Sequence, residues 1–267
     1  MRLAAKGGAT QPEVRGPMMN PAEFPNIARA EASFWWYRGM RAILGGILDP
    51  WLKGRSIVRV LEAGCGTGYF AKLLERERGW RVYPADLAWE GLRCGRAMGL
   101  DRMSQADLAA LPFQDEAFDA VTSMDVLIHF ERGEELKPLS ELVRVTAPGG
   151  LLVLRVSALD ALRSRHSQFV SERQRFTRRR LVRAIRDTGV RVLRCTYANC
   201  LLLPLALAKF RLWEPLVSRR PASGVQPVPR WLDSLLYSCL RAESVWLGRG
   251  HDLPLGQSLI LVGEKAA

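Results

Sequence analysis

Three glycines in five positions, Gly64, Gly66 and Gly68, follow an acid, Glu62, within the stretch LEAGCGTGYF at 61–70. Glycines at that density let a backbone turn tightly and pass close to a ligand. A loop that grips phosphate needs Gly-Lys-Ser/Thr after the turn, and here Gly68 is followed by Tyr69 and Phe70. The dinucleotide fingerprint spaces its glycines G-x-G-x-x-G, whereas here they stand G-x-G-x-G. A carboxylate facing a pyrophosphate is repulsive, and one facing a cationic amino group is attractive. The loop therefore points toward a ligand with a positive end. Cys65 reads as a small residue in the turn and not as a nucleophile.

More groups able to do chemistry follow in order. Asp86-Leu87 closes the apolar run WRVYPADLA, and Asp107-Leu108 closes RMSQADL. Met124-Asp125 lies at the end of AFDAVTSMDVL, and His129 follows four residues after Asp125. A carboxylate at the end of a second strand can accept from both hydroxyls of a ribose. His129 titrates near neutrality and is a candidate general base, with a structural or shielding histidine as the alternative.

Glu62 through Gly68 resembles the first motif of class I S-adenosylmethionine-dependent methyltransferases, and the resemblance extends over about 56–157. LPFQDEAFDAV and VTAPGGLLVL are also similar to that family's wording. The resemblance implies S-adenosylmethionine as cofactor. Its site would comprise Glu62, Gly64, Cys65, Gly66, Gly68, Asp86, Leu87, Asp107, Leu108, Met124 and Asp125. In the family the first acid orients the methionine end. The acid at Asp107 accepts from the adenine amino group, and Leu108 flanks the ring. Asp119 reads as structural.

FWWYRGMR at 34–41 resembles an aromatic helix that closes over the cofactor in one subgroup, which adds Tyr37 or Arg41; Trp35 and Trp36 read as packing. A His-x-Arg-Arg-Tyr-Thr pattern of that subgroup is matched by Glu172-Arg173-Gln174-Arg175-Phe176-Thr177, so its His and its first Arg are absent. Some O-methyltransferase relatives bind metal through Glu-His, and Ile128 stands in place of that Glu, so no metal is expected.

The expected reaction is methyl transfer to a small-molecule acceptor, with an oxygen acceptor preferred. An RNA methyltransferase and a non-catalytic cofactor-binding protein are the alternatives. No RNA-binding module and no Asn-Pro-Pro-Tyr-type amine site is recognisable, which disfavours nucleic acid.

These residues need elements to carry them. Apolar periodicity predicts a helix over 23–52 ended by Pro50, a strand over 56–64, a helix over 68–79 and a strand over 80–88. A helix over 89–99 and short strands over 102–108 and 117–127 follow. A helix over 133–146 is kinked or shortened by Pro138, PGG at 148–150 makes a turn, and a strand runs over 151–157. The second half adds a helix over 177–189 capped by Thr177, and strands over 190–198 and 257–265. The alternation predicts an α/β, doubly wound, Rossmann-like seven-stranded and mostly parallel sheet, with a helical insertion or lid before the last strand. The expected organisation is a loose arm at 1–22 and one domain at 23–267. Its core is 56–157, and its acceptor-side insertion covers about 158–250.

The chain has 267 residues and a net charge of +12. Residues 155–194 hold twelve Arg against Asp160, Glu172 and Asp187. Such a run is a solvated helix face or a docking surface for an anionic partner or a membrane. Five cysteines without a CxxC pair indicate a reducing compartment. No signal-peptide core or membrane span is recognised, so a cytoplasmic location is expected. The apolar insertion suggests a large apolar or membrane-surface acceptor, or an ordinary packed cap.

Overall fold

Seven strands hydrogen-bond into one sheet in the order β3-β2-β1-β4-β5-β7-β6. The computed structural model describes residues 19–217 and 220–266. Most of the arm expected over 1–22 lies outside the described residues. The strands are β1 (Arg59–Ala63), β2 (Arg81–Asp86), β3 (Ser104–Gln105), β4 (Phe118–Met124), β5 (Thr146–Ser157), β6 (Val190–Ala198) and β7 (Ser258–Lys265). β1 through β5 pair in parallel, and β7 runs antiparallel between β5 and β6. The chain winds outward from β1 in both directions, so the switch in strand order falls between β1 and β4. Open α/β sheets bind ligands outside the carboxyl ends of their strands at such a point.

Burial on both faces explains why Val60, Leu61 and Ala63 of β1 are all apolar. Leu61 and Ala63 pack in one core layer with Val121 and Leu152, and Val60 packs in the other with Val82, Ala120 and Val153. A parallel strand covered by helices on both sides has no polar face to show.

The helices are α1 (Phe24–Ala30), α2 (Trp35–Leu52), α3 (Tyr69–Arg78), α4 (Trp89–Ala97), α5 (Leu136–Val145), α6 (Arg165–Phe169) and α7 (Arg178–Arg186). Within the insertion, α8 (Leu203–Leu207) runs through a π turn (Ala208–Trp213) into α9 (Glu214–Val217), and α10 (Arg230–Gly248) follows.

Four expectations shift. The helix expected over 23–52 breaks at Glu31–Phe34 into α1 and α2, because the Trp35 N–H is capped at 2.9 Å by Asp233, 198 residues away. Pro50 does not end α2, which runs on to Leu52. Gly149 and Gly150 fall inside β5 and not in a turn before it. β3 is only Ser104–Gln105, so Asp107 stands beyond its end. Pro138 does shorten its helix: α5 begins at Leu136, where proline sits in the first turn and costs no intrahelical hydrogen bond. Thr177 caps α7 through the Arg180 N–H at 3.3 Å, as expected.

The insertion is tied to the sheet at its start and through α10. Buried Glu243 of α10 accepts the Asn199, Cys200 and Leu201 N–H groups after β6, at 2.7, 2.5 and 3.2 Å. Gly39 of α2 lets Leu240 of α10 approach, since a Cβ there would stand 2.3 Å from the Leu240 Cδ1.

Candidate active site

The glycine loop leaves β1 at the switch point and is bolted to β2. The Gly64 and Cys65 N–H groups both donate to the Ala85 carbonyl, at 2.7 and 3.0 Å. Gly64, Gly66 and Gly68 all have positive φ, at 78°, 57° and 78°. This left-handed backbone strains any residue with a Cβ. At Gly64 a Cβ would also lie 2.1 Å from the Val126 side chain. At Gly66 it would meet nothing within 4 Å, so that part of the loop borders open space.

Two carboxylates flank the loop. Glu62 is buried and its Oε2 has no partner. Its carboxyl is pushed well above the usual range by burial, against a backbone hydrogen bond from Ala71 that lowers it, with Asp86 and Glu31 raising it further. Asp86 accepts the Gly66 N–H at 2.7 Å on Oδ2 and the Ala88 N–H at 2.8 Å on Oδ1. Burial raises Asp86 from 3.8 to about 6. Each Asp86 oxygen keeps a lone pair for another donor. An unpartnered buried acceptor, an open glycine turn and clustered acids suit a ligand with an ammonium and vicinal hydroxyls, and they repel phosphate. The residues present therefore fit S-adenosylmethionine.

Cys65 is buried in the turn, and burial, with Glu62 and Asp86, holds its thiol well above its ordinary range. That favours the neutral thiol over a thiolate. Leu87 offers its carbonyl to Gln105 Nε2 at 3.0 Å. Asp107 Oδ1 accepts the Ala109 N–H at 2.8 Å, and Leu108 is buried beside it in the core layer of Leu61.

The N-terminal segment reaches this loop. The Thr67 hydroxyl donates to buried Glu31 Oε2 at 2.5 Å, and Arg41 holds the Glu31 carbonyl at 2.6 Å. Burial raises the Glu31 carboxyl from 4.5 to about 7, against the Thr67 bond and Arg41, which lower it. Tyr37, on the first turns of α2, packs edge-on against Trp36 with centroids 5.1 Å apart. Burial, then Glu23 and Glu31, push its phenol well above its ordinary value.

Past β4, Asp125 adopts φ 59°, and its N–H donates to the Arg155 carbonyl at 2.8 Å. Arg155 grips Asp125 Oδ2 through Nη2 and Nε, at 2.5 and 2.9 Å, and lies 5.0 Å over the Trp36 ring. Asp125 Oδ1 is buried without a partner. His129, on the short turn after Asp125, is buried with Nδ1 3.3 Å from the Ser171 carbonyl. A carbonyl only accepts, so Nδ1 carries the proton and Nε2 is the basic nitrogen. Burial lowers the His129 pKa below 6.5, with the Ser171 bond and Asp125 opposing.

Sequence patterns missed Glu31, Thr67 and Arg155. Thr67 stands in the loop and Arg155 in the Arg run, but no local signal links either to its partner. The Arg run is not one face. The Arg155, Arg175, Arg180 and Arg194 side chains are at most 19% exposed and engage Asp125, Glu172, Glu135 and Asp252. The motif at 172–177 is locked into the fold, with Phe176 fully buried and Gln174 Nε2 donating to the Leu127 carbonyl at 3.2 Å. Among the described residues no cluster of three or more His, Cys, Asp or Glu could hold a metal ion.

This strand order, with an acid-flanked glycine loop after β1, defines the class I methyltransferase fold. Residues 61–154 match the family model described as methyltransferase domain, and this segment belongs to the class I S-adenosylmethionine-dependent methyltransferases. Malonyl-[acyl-carrier protein] O-methyltransferase of Erwinia billingiae is 33% identical over 137 residues, 51% of this chain and 53% of the relative. Demethylmenaquinone methyltransferase of Thermus thermophilus is 46% identical over 102 residues, 36% of this chain and 46% of the relative. The chain thus spans about half the length of these curated relatives. Among solved structures, a putative methyltransferase of Haloferax volcanii in complex with the Trm112 methyltransferase activator superposes with TM-score 0.57. It is 20% identical and covers 92% of this chain and 98% of its own.

Proposed function

We propose that the chain binds S-adenosylmethionine at the β1 glycine loop and transfers its methyl group to a small-molecule acceptor. The observation that carries this reading is Glu62, buried with an unpartnered oxygen beside Asp86 and an open glycine turn. Glu62 would take the ammonium and Asp86 the ribose hydroxyls. Asp107 and Leu108 would hold the adenine, and Gly64, Cys65, Gly66, Gly68 and Leu87 would line its path. Met124, Asp125 and Tyr37 would face the methionine and acceptor side.

The cofactor, when bound, supplies a methyl group already activated on a sulfonium. The protein's share of the work is alignment and the exclusion of water. Arg155 of β5 grips Asp125 after β4 and lies over Trp36 of α2, so three elements meet beside Tyr37 on the side where an acceptor would sit. His129 Nε2 is the candidate base for an acceptor hydroxyl. An amine or activated carbon acceptor would need little base. The relatives' names span an acyl-carrier ester and a quinone, so the acceptor atom follows from neither. Oxygen is preferred because a neutral imidazole stands four residues after Asp125.

The net charge of +12 keeps RNA as the competing acceptor class. Methyl-labelled cofactor offered to a metabolite extract and, separately, to small RNA decides between them. Label in the organic fraction supports the proposal, and label in RNA alone overturns it. Asp86→Asn is expected to weaken cofactor binding about tenfold by calorimetry, roughly the value of a charge-assisted hydrogen bond. Unchanged affinity would remove the cofactor assignment.

A further inference from the structure

The helical stretch 203–217 leaves its apolar side chains outside. Leu205, Leu212 and Leu216 are 56%, 67% and 83% exposed, and Trp213 and Val217 are 65% and 57% exposed. Leu212 and Leu216 stand four residues apart on one side of the stretch, and Leu205 is exposed on the α turn that precedes the π turn. Anchoring comes from elsewhere on the stretch. Ala206 is buried, Glu214 Oε2 accepts the Arg165 N–H at 3.0 Å, and Arg211 Nε donates to the Ala161 carbonyl at 2.7 Å. The leucine face is therefore presented by a docked helix.

The surroundings of this face are basic. Lys209 and Arg211 stand on the stretch, and Arg163 and Arg165 stand on the segment it rests on. Asp160 is paired with Arg163 at 3.5 Å. From 199 to 232 the sequence holds a single acid, Glu214, and its carboxylate is already engaged. An exposed apolar stripe of this kind marks an interaction surface. Leu and Trp with a basic border match the interface of a bilayer bearing anionic headgroups. Trp213 is one aromatic ring among leucines, whereas surfaces that bind single strands stack successive bases on several aromatic rings.

We propose that 203–217 is a docking element that seats the protein on an anionic membrane surface. Leu205, Leu212, Trp213 and Leu216 enter the headgroup region, and Lys209 with Arg211 meets the headgroup charge. The helix lies in the interface and does not span it; no helix among the described residues is long and apolar enough to cross a membrane. This inference does not depend on the methyl-transfer reading.

The test is flotation of the full chain with vesicles of phosphatidylcholine containing 30% phosphatidylglycerol, and with phosphatidylcholine alone, where ~30% is chosen to set a strong surface potential. The expected result is binding to the anionic vesicles, at least tenfold weaker to the neutral ones, and weakened by added salt. L212S/L216S and, separately, Lys209→Glu each reduce binding at least tenfold with the thermal midpoint unchanged, since these side chains are exposed. Absence of binding to anionic vesicles overturns the proposal, as does binding that both variants leave unchanged. Leucine-dependent self-association in sedimentation without vesicle binding assigns the face to a second copy and also overturns it. Leucine-independent capture of a single-stranded RNA oligomer without vesicle binding does the same in favour of RNA.

Discussion

The Thr67 hydroxyl, in the middle of the glycine loop, donates to the Glu31 carboxylate at 2.5 Å across 36 residues of sequence. This bond fastens the N-terminal segment over the turn that leaves β1. The segment is fixed at its far side as well, where Arg41 holds the Glu31 carbonyl and Asp233 caps Trp35.

Thr67→Ala removes the bond and leaves the buried Glu31 oxygen without a donor, a loss of about 1–3 kcal/mol. Cofactor affinity is expected to fall about tenfold if the fastened segment completes the site. Calorimetry on Thr67→Ala and Thr67→Ser checks this, with serine expected to restore binding. Equal, unweakened affinity in both variants would show that the clamp stands outside the binding site.

Stability should depend on pH in a stated direction. Glu31 goes from 4.5 to about 7 on folding, and Asp86 from 3.8 to about 6. Both are acids raised by burial, so the folded chain holds protons that the unfolded chain releases. Their contribution is full below pH 4 and is lost as pH rises through 6 to 7. The cofactor-free thermal midpoint is expected to fall by several degrees from pH 5 to 8 in these groups' share. Glu31→Gln should flatten the part of that slope near 7. Affinity for a cationic ligand runs the opposite way and tightens as the same acids ionise.

Gly64 has φ 78° and Val126 pressed where its Cβ would stand. Gly64→Ala is expected to destabilise by about 2 kcal/mol or more, from left-handed strain plus the clash. Adding Val126→Ala relieves the clash and not the strain, so the double variant should recover only part of the loss in denaturant unfolding. Full recovery would mean that the backbone is not strained there.

For His129, the measurement is the pH profile of kcat once an acceptor is known. A base whose pKa lies below 6.5 gives activity that rises through that pKa and then stays flat. His129→Gln should lose this limb and lower kcat, with cofactor affinity unchanged. A retained limb and an unchanged kcat would assign His129 to structure, through its bond to the Ser171 carbonyl.

The class of fold and the ligand's charge were legible in short stretches. Glu62, the three glycines, Asp86 and Asp107 each sit within a few residues of a strand's end, so spacing along the chain becomes spacing in the candidate site. The break at Glu31–Phe34 was not legible, because a helix end decided by Asp233, 198 residues away, leaves no local mark. Arg155 read as one of twelve in a charged run, yet it is drawn into the site by Asp125 and Trp36.

What the sequence determined by itself is the parallel sheet and the acid-flanked loop, since apolar runs, glycine register and carboxylate positions are local properties. Only the tertiary structure decided which groups close that loop from outside, which arginines turn inward, and that the leucines of 203–217 stay exposed. Those outcomes depend on what each side chain meets across the sheet, and that partner is set by folding and not by neighbours in the chain.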